Sequence, residues 1–357
     1  MLTYPMKKNI LEFSRDQLRS WLTEREIAAY RANQIQKWVY LRQADSFDVM
    51  TDISKEIRAL LSRHFVIERL EVEMIETSRD GSRKYLFKLK DGKYIESVLI
   101  PERDHYTLCV SSQAGCAQDC RFCLTAVGGF ERNLSRGEIV AQVRDIKKEL
   151  DDQKRLTNIV FMGMGEPLAN YKNLVSAIGI LTDNDVGLRF ASRRVTVSTA
   201  GLVPKITALG RDTRVNLAVS LNATDNITRD RLMPINRKYP LEKLMEACRQ
   251  YLPAPGRRIT FEYILIKGIN DSVNDAERLA KLLRPIRCKV NLIPLNTYEG
   301  CDLGRPAEAV IQAFYGVLFA KNYTVIIRRS KGQDISAACG QLKARSIGHR
   351  GHSGYGA

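Results

Sequence analysis

From residue 106 onward the chain repeats one rhythm, a short apolar strand followed by a loop and an amphipathic helix. Strand candidates are YTLCVSS (106–112), NIVFMG (158–163), RVTVST (194–199), VNLAVSL (215–221), RITFEYIL (258–265) and CKVNLIPL (288–295). Helical patterns such as NLVSAIGILTD, LEKLMEACRQYL and DAERLAKLLRPI fall between them, and a last helix, AEAVIQAFYGVLFAKN, precedes a last strand, YTVIIR. Six successive β-α units with apolar strands imply a parallel sheet covered by helices. A partial barrel and a doubly wound sheet both satisfy that pattern. Either way the class is α/β.

The first hundred residues have a different texture. SRDQLRSWLTERE places Leu18, Trp21 and Leu22 at helical spacing behind a capping box of Ser14 and Gln17. Ile35, Trp38 and Val39 repeat the pattern, as do Ile57, Leu60 and Leu61, and both tryptophans are expected in the core of a small helical domain, residues 1–66. KYLFKLKDGKYIESVLIP then puts Tyr85, Phe87 and Leu89 on one face and lysines on the other, with a turn at Asp91-Gly92. That is a hairpin signal, assigned to a linking segment, 67–101. A core domain follows over 102–342. The tail, 343–357, carries too little apolar surface to fold and is expected to be disordered, its His349 and His352 being stray tail histidines.

No apolar run approaches the roughly 18 residues that span a bilayer, and the first residues lack the pattern of a signal peptide. A cytoplasmic protein with no membrane association is expected. Eight cysteines then point to metal binding or redox chemistry sooner than to structural disulfides. Cys248 and Cys288 sit inside apolar patterns and read as small buried hydrophobes. The net charge of +16 exceeds what solubility requires and draws the chain toward polyanions, so nucleic acid is the expected partner. Charge alone does not separate RNA from DNA.

The densest chemistry is CAQDCRFC, with Cys116, Cys120 and Cys123 within eight residues. Structural zinc sites close with four ligands, and only His105 or Cys109 lies near enough in sequence to complete one. A 4Fe–4S cluster also takes four thiolates as a rule. Three would leave one iron open to a ligand that is not protein. The loop follows the first strand, at the carboxyl end where sites in this architecture lie.

CxxxCxxC with Phe122 before the last cysteine resembles the signature of radical S-adenosylmethionine (SAM) enzymes. FMGMGEPLAN resembles the motif by which that superfamily holds the methionyl ammonium of SAM, which assigns the role to Gly165 and Glu166. Ser198 at the end of strand three, Ser220, Leu221 and Asn222 at strand four and Asn296 after strand six would project toward SAM. Single serines and asparagines at strand ends are otherwise caps or turn formers. CVSSQAGCAQDCRFCLTAVGGFERNLSRGEIVAQV and RRSKGQDISAACGQL narrow the resemblance to the RlmN family, over nearly the whole chain to Gln341. The pairing of Cys109 with Cys339 around the cluster motif is shared by that family and its relative Cfr.

What the resemblance implies is specific. The fold would be a partial (β/α)6 radical-SAM barrel with a helical N-terminal RNA-recognition domain and a linking β-hairpin. Cofactors would be a 4Fe–4S cluster on Cys116, Cys120 and Cys123, with SAM on the open iron. The reaction would methylate carbon 2 of an adenosine in 23S rRNA and in tRNA, consuming two SAM. Carbon 2 is electron-poor and closed to polar methyl transfer. Instead Cys339 would accept a methyl group as a nucleophile, lose a hydrogen to a 5′-deoxyadenosyl radical and add to the adenine. Glu96 would take the carbon-2 proton, and Cys109 would attack the Cys339 sulfur, releasing RNA and leaving a disulfide. On residues alone Glu96 reads equally as a cross-strand partner for a lysine. A monomer served by a flavodoxin-type electron donor is expected. The rivals are carbon-8 methylation of the Cfr kind, a zinc-stabilised RNA-binding module without catalysis, and a glycyl-radical activase.

Overall fold

The computed structural model describes residues 7–251, 256–298 and 300–342, and the tail with His349 and His352 lies outside them. Residues 71 onward contribute to a ten-stranded sheet. Its strands are β1 (Glu71–Thr77), β2 (Arg83–Lys88), β3 (Tyr94–Pro101), β4 (Tyr106–Cys109), β5 (Leu156–Phe161), β6 (Val195–Thr199), β7 (Asn216–Ser220), β8 (Ile259–Leu265), β9 (Cys288–Pro294) and β10 (Val325–Ile327). Pairing is antiparallel from β1 to β4 and parallel from β4 to β10.

Spatial order equals sequence order, with no reversal. That decides between the two architectures. A doubly wound sheet reverses its strand order so that helices cover both faces. Sequential order with crossovers of one hand keeps the helices outside and lets the other face curl around a cavity. Because β10 and β1 are the two ends of the sheet and do not pair, the barrel is an open arc.

Two features depart from expectation. The hairpin is a three-stranded extension of the barrel sheet, since β1 pairs along β2. Its sequence, EVEMIET, alternates acidic and apolar residues, as an edge strand that discourages further pairing does. Second, the lysine face of β2 is covered. Lys84 is buried, with its ammonium 2.8 Å from Glu76, 3.6 Å from Glu96 and donating to the Ile335 carbonyl at 2.7 Å. A late segment of the chain lies over that face.

The N-terminal helices are α1 (Arg15–Thr23), α2 (Arg31–Gln36) and α3 (Lys55–His64). The capping box of Ser14 and Gln17 opens α1, and Leu18 and Leu22 are fully buried. Trp21 and Trp38 close the rim of this core, half-buried, under the guanidinium groups of Arg25 (4.1 Å) and Arg42 (3.9 Å). An indole carries a polar edge that keeps it near water, and the Trp38 N–H donates to Asp52 at 2.6 Å. One contiguous apolar core runs from Ile10 into the barrel. No helix among the described residues is long and apolar enough to cross a membrane.

The junction is made by α4 (Arg136–Lys148), itself opened by a capping box of Ser135 and Glu138. From it the fully buried Arg144 donates to the carbonyls of Val39 (3.2 Å), Ala44 (2.9 Å) and Glu68 (3.3 Å) and pairs with Asp45 (2.6 Å) and buried Asp145 (3.1 Å). One guanidinium thus satisfies five acceptors from three segments. Replacing it removes the nearest cation from buried Asp145, which keeps only the Leu70 N–H (2.9 Å) and a longer contact to Arg69 (3.7 Å), and strips several carbonyls of their donor. Arg144→Met should therefore lower the unfolding free energy by about 3–5 kcal/mol. Urea unfolding measures this. A loss below about 1 kcal/mol, the size of an ordinary surface pair, would contradict the assigned role.

Candidate active site

A cavity of about 150 Å³ opens at the carboxyl ends of the parallel strands. Cys116, Cys120 and Cys123 form one wall, Gly165 and Glu166 another, and Ser198, Ser220, Asn222, Glu262 and Cys339 complete it. Phe161, Met233, Ile264 and Ile293 supply apolar lining between them. Of the strand-end residues singled out in the sequence, Leu221 and Asn296 do not face this space. Leu221 is fully buried and bonds through its backbone to Glu262 and Arg229. Asn296 turns its amide to the carbonyl of Cys339, at 3.3 Å.

The three cysteines are half-buried free thiols. Burial pushes the Cys116 thiol up to about 12 and that of Cys120 well above its ordinary value, and the neighbouring thiols add to the effect. Left alone, Cys116 and Cys120 hold their protons, which a metal must displace. Among the described residues no three His, Cys, Asp or Glu side chains gather around one point as a single metal ion requires. All three thiols line the cavity.

Glycine is required at 165, where φ is +99° and a Cβ would lie 2.5 Å from that of Gln113. The tight turn swings Glu166 inward. Its two carboxylate oxygens accept the backbone N–H groups of Leu168 (3.0 Å) and Ala200 (2.7 Å). Burial raises its pKa, opposed by those hydrogen bonds and by one from the Thr199 side chain, which leaves acceptor capacity over on the carboxylate. On the other side of Ala200, the fully buried Arg229 donates to the carbonyls of Ala200 (2.7 Å), Ser220 (3.1 Å) and Leu221 (3.0 Å), holding the ends of β6 and β7 together. Burial lowers its pKa to about 10.

Cys339 arrives on a segment stitched to its surroundings. Leu124 N–H donates to the Gly340 carbonyl (2.6 Å) and the Thr125 hydroxyl to that of Leu342 (2.7 Å), tying the segment to the cysteine loop. The other side is fixed to the sheet extension. Asp334 accepts from the Ser78 hydroxyl (2.6 Å) and Arg79 N–H (3.1 Å), and Asp80 accepts from Gly332 N–H (2.8 Å). Asp80 is held down to about 2 by such hydrogen bonds, against the opposing effect of burial.

Cys109, the last residue of β4, is buried, and burial pushes its thiol up to about 12, with nearby Cys339 adding to the effect. Cys339 is accessible to solvent but recessed, and burial raises its pKa against the opposing charge of Arg328. Burial acts to lower the Arg328 pKa, yet Cys339, Glu262 and Cys109 outweigh it, so the guanidinium stays charged beside both thiols. Glu96 lies in β3, buried next to Lys84 and outside the cavity lining. The lysine pairing anticipated for it is therefore present, and the same lysine holds the Cys339 segment through Ile335.

Comparison with known proteins bears on this arrangement. Residues 8–67 match the ribosomal RNA large subunit methyltransferase N-terminal domain, and residues 110–283 match the radical SAM superfamily. The chain is 57% identical to the dual-specificity RNA methyltransferase RlmN of Desulfosudis oleivorans, over 95% of this chain and 91% of that protein. The chain belongs to the RlmN family. The corresponding protein of Geobacter sulfurreducens is 53% identical over 94% of this chain and 92% of its own length. A crystal structure of a radical SAM methyltransferase from Sphaerobacter thermophilus superposes with a TM-score of 0.89 at 44% identity, covering 95% of this chain and all of that one.

Membership in the RlmN family implies a 4Fe–4S cluster and SAM, through the radical SAM domain. It sets aside the zinc module and the glycyl-radical activase. Several residues of this RlmN-family site escaped sequence reasoning. Gln113, whose side chain accepts the Glu166 N–H at 2.8 Å, carried no signal. Glu262 did carry one, as the lone acid in the apolar strand ITFEYIL.

The burial contrast predicts unequal thiol reactivity. In the folded protein iodoacetamide at pH 8 should modify Cys339 and spare Cys109, because the thiolate is the nucleophile and must be reachable. With its pKa raised, Cys339 should react faster still as pH climbs past 9. Peptide mapping after quenching reads both, and equal rates for the two residues would refute the placement.

Proposed function

We propose that this chain methylates carbon 2 of an adenosine in 23S rRNA and in tRNA, using Cys339 to carry the methyl group and Cys109 to release the product. One observation carries the reading: two free thiols, one reachable and one buried, share the charge of Arg328 beside a cavity lined by three further cysteines. A mononuclear zinc site has no use for that arrangement. When bound, the cluster and SAM supply a methyl group and a carbon-centred radical.

The chain's own residues do the rest. Cys116, Cys120 and Cys123, which line the cavity together, would hold the cluster through their thiolates. Gly165 and Glu166 present a backbone turn and a carboxylate with spare lone pairs to the ammonium of SAM. Ser198, Ser220 and Asn222 face the remainder, while Leu221 and Asn296 support the wall from behind. Cys339 accepts the methyl group once its thiol is ionised, which Arg328 favours. After its carbon joins the adenine and the ring's unpaired electron passes back to the bound redox centre, Glu96 takes the carbon-2 proton. Cys109 then attacks the Cys339 sulfur, the methyl carbon leaves on the adenine and picks up a proton, and the external donor reduces the resulting Cys109–Cys339 disulfide. The buried Lys84–Glu96 pair sits behind the segment that bears Cys339, so Glu96 acts when that segment moves with its RNA.

The relatives named RlmN are dual-specificity RNA methyltransferases, and the +16 charge suits a polyanionic substrate bound largely through phosphates. Residues 1–66 are assigned to RNA recognition, 67–101 to the linking extension and 102–342 to the catalytic barrel. Carbon 2 lies in the minor groove of a duplex, so the target base must be unstacked or in a loop. The reading includes a monomeric, cytoplasmic enzyme reduced by a flavodoxin-type donor. Anaerobic turnover of the iron-loaded protein with SAM, reductant and a 23S rRNA fragment should yield 2-methyladenosine by nucleoside mass spectrometry. Formation of 8-methyladenosine would move the chain to the Cfr activity, and absence of any methylated adenosine would overturn the reading.

A further inference from the structure

Glu262 is the one titratable residue among those lining the cavity whose chemistry the proposed reaction leaves unused. It is buried in the middle of β8, in register with Ser220 of β7 and Asn291 of β9. Its Oε1 accepts from the Asn291 amide at 2.9 Å. Its Oε2 is buried with no hydrogen-bond partner, although the residue lines the cavity. An unpaired carboxylate oxygen in such a place costs on the order of 1–3 kcal/mol or more. Burial raises the Glu262 pKa, while Arg328, the Asn291 hydrogen bond and Lys289 oppose it. A neutral amide or an apolar residue would avoid that cost, so the acid implies a donor that arrives with the ligand.

The donor's identity follows from the groups that can enter. A carboxylate accepts and cannot donate. The edges of adenine present ring-nitrogen acceptors beside the amino group, which a carboxylate repels. The reading assigns the ammonium end of SAM to Gly165 and Glu166. A ribose cis-diol offers two adjacent donors and no competing charge. An internal RNA nucleotide has its 3′ oxygen esterified and lacks that diol, whereas SAM has it. Ser198 and Ser220 lie beside Glu262 on the same polar strip of an otherwise apolar wall. We propose that Glu262 is the acceptor for the ribose hydroxyls of SAM, a binding residue that orients the cofactor's sugar within the barrel. This rests on the reading of the cavity as a SAM site.

The test compares S-adenosylhomocysteine with its 2′,3′-dideoxy analogue by calorimetry on the iron-loaded protein. A hydrogen bond to a charged group is worth enough that the wild type should prefer the diol by roughly 10- to 100-fold. In Glu262→Gln that preference should shrink to about threefold or less, since a neutral amide oxygen accepts a weaker bond. Glu262→Asp keeps the charge beside Arg328, so it should fold where the amide does not, and by withdrawing the oxygen it should lose the preference too. If the wild type binds both compounds equally, or if both variants keep the full preference, the diol is held elsewhere and the inference is wrong. If the wild type binds neither compound, the SAM-site reading fails and this inference with it.

Discussion

A backbone hydrogen bond joins the two halves of the site, from Leu124 N–H in the cysteine loop to the carbonyl of Gly340. It brings together residues more than two hundred positions apart and sets Cys339 at the cavity. Gly340 has φ of +82°, and a Cβ there would stand 3.0 Å from the Phe122 carbonyl oxygen, so the contact specifies glycine. The bonds of Asn296 to the Cys339 carbonyl and of Gln341 to the Thr297 carbonyl (2.8 Å) extend the seam to the end of β9. Move this seam and the thiol pair, the cysteine wall and the polar strip no longer face one space.

The same segment is held from the other side by side chains of the extension. Ser78, Asp80 and Lys84 each bond to residues 332–335, and Lys331 reaches the Pro101 carbonyl. These are part-buried polar contacts instead of interlocked apolar side chains. A segment carrying a reactive thiol between cofactor, RNA and a second thiol needs such an attachment. Buried neutral thiols fit the same logic. Burial keeps Cys109 protonated and inert until another group approaches it, while Arg328 supplies the positive charge that favours ionisation when chemistry requires it.

Much of the architecture could be read before any coordinates. Each strand named from its apolar run lies in the sheet, and the capping box at Ser14 marks a true helix start. Periodicity alone left the partial barrel and the doubly wound sheet equal, because both bury strands of the same composition. Only strand order separates them, and order is a long-range property. Local pattern also misjudged Lys84, whose alternation with Tyr85 and Phe87 says nothing of a segment 250 residues later that covers it. Within the site, short motifs carried the cysteines, Gly165 and Glu166. Asn296 went astray because a side chain just past a strand end can turn either inward or behind. Glu262 was visible as an anomaly without a meaning, since its unmet oxygen exists only in three dimensions.

The account stands on the division of labour between the two distal thiols. Cys109→Ala and Cys339→Ala, each incubated anaerobically with SAM, reductant and RNA, separate it by gel shift and intact mass. Cys109→Ala should accumulate protein covalently joined to RNA, linked by a methylene between Cys339 and adenine carbon 2, while Cys339→Ala should form no adduct at all. Normal turnover by Cys109→Ala, or an adduct on Cys339→Ala, would contradict it.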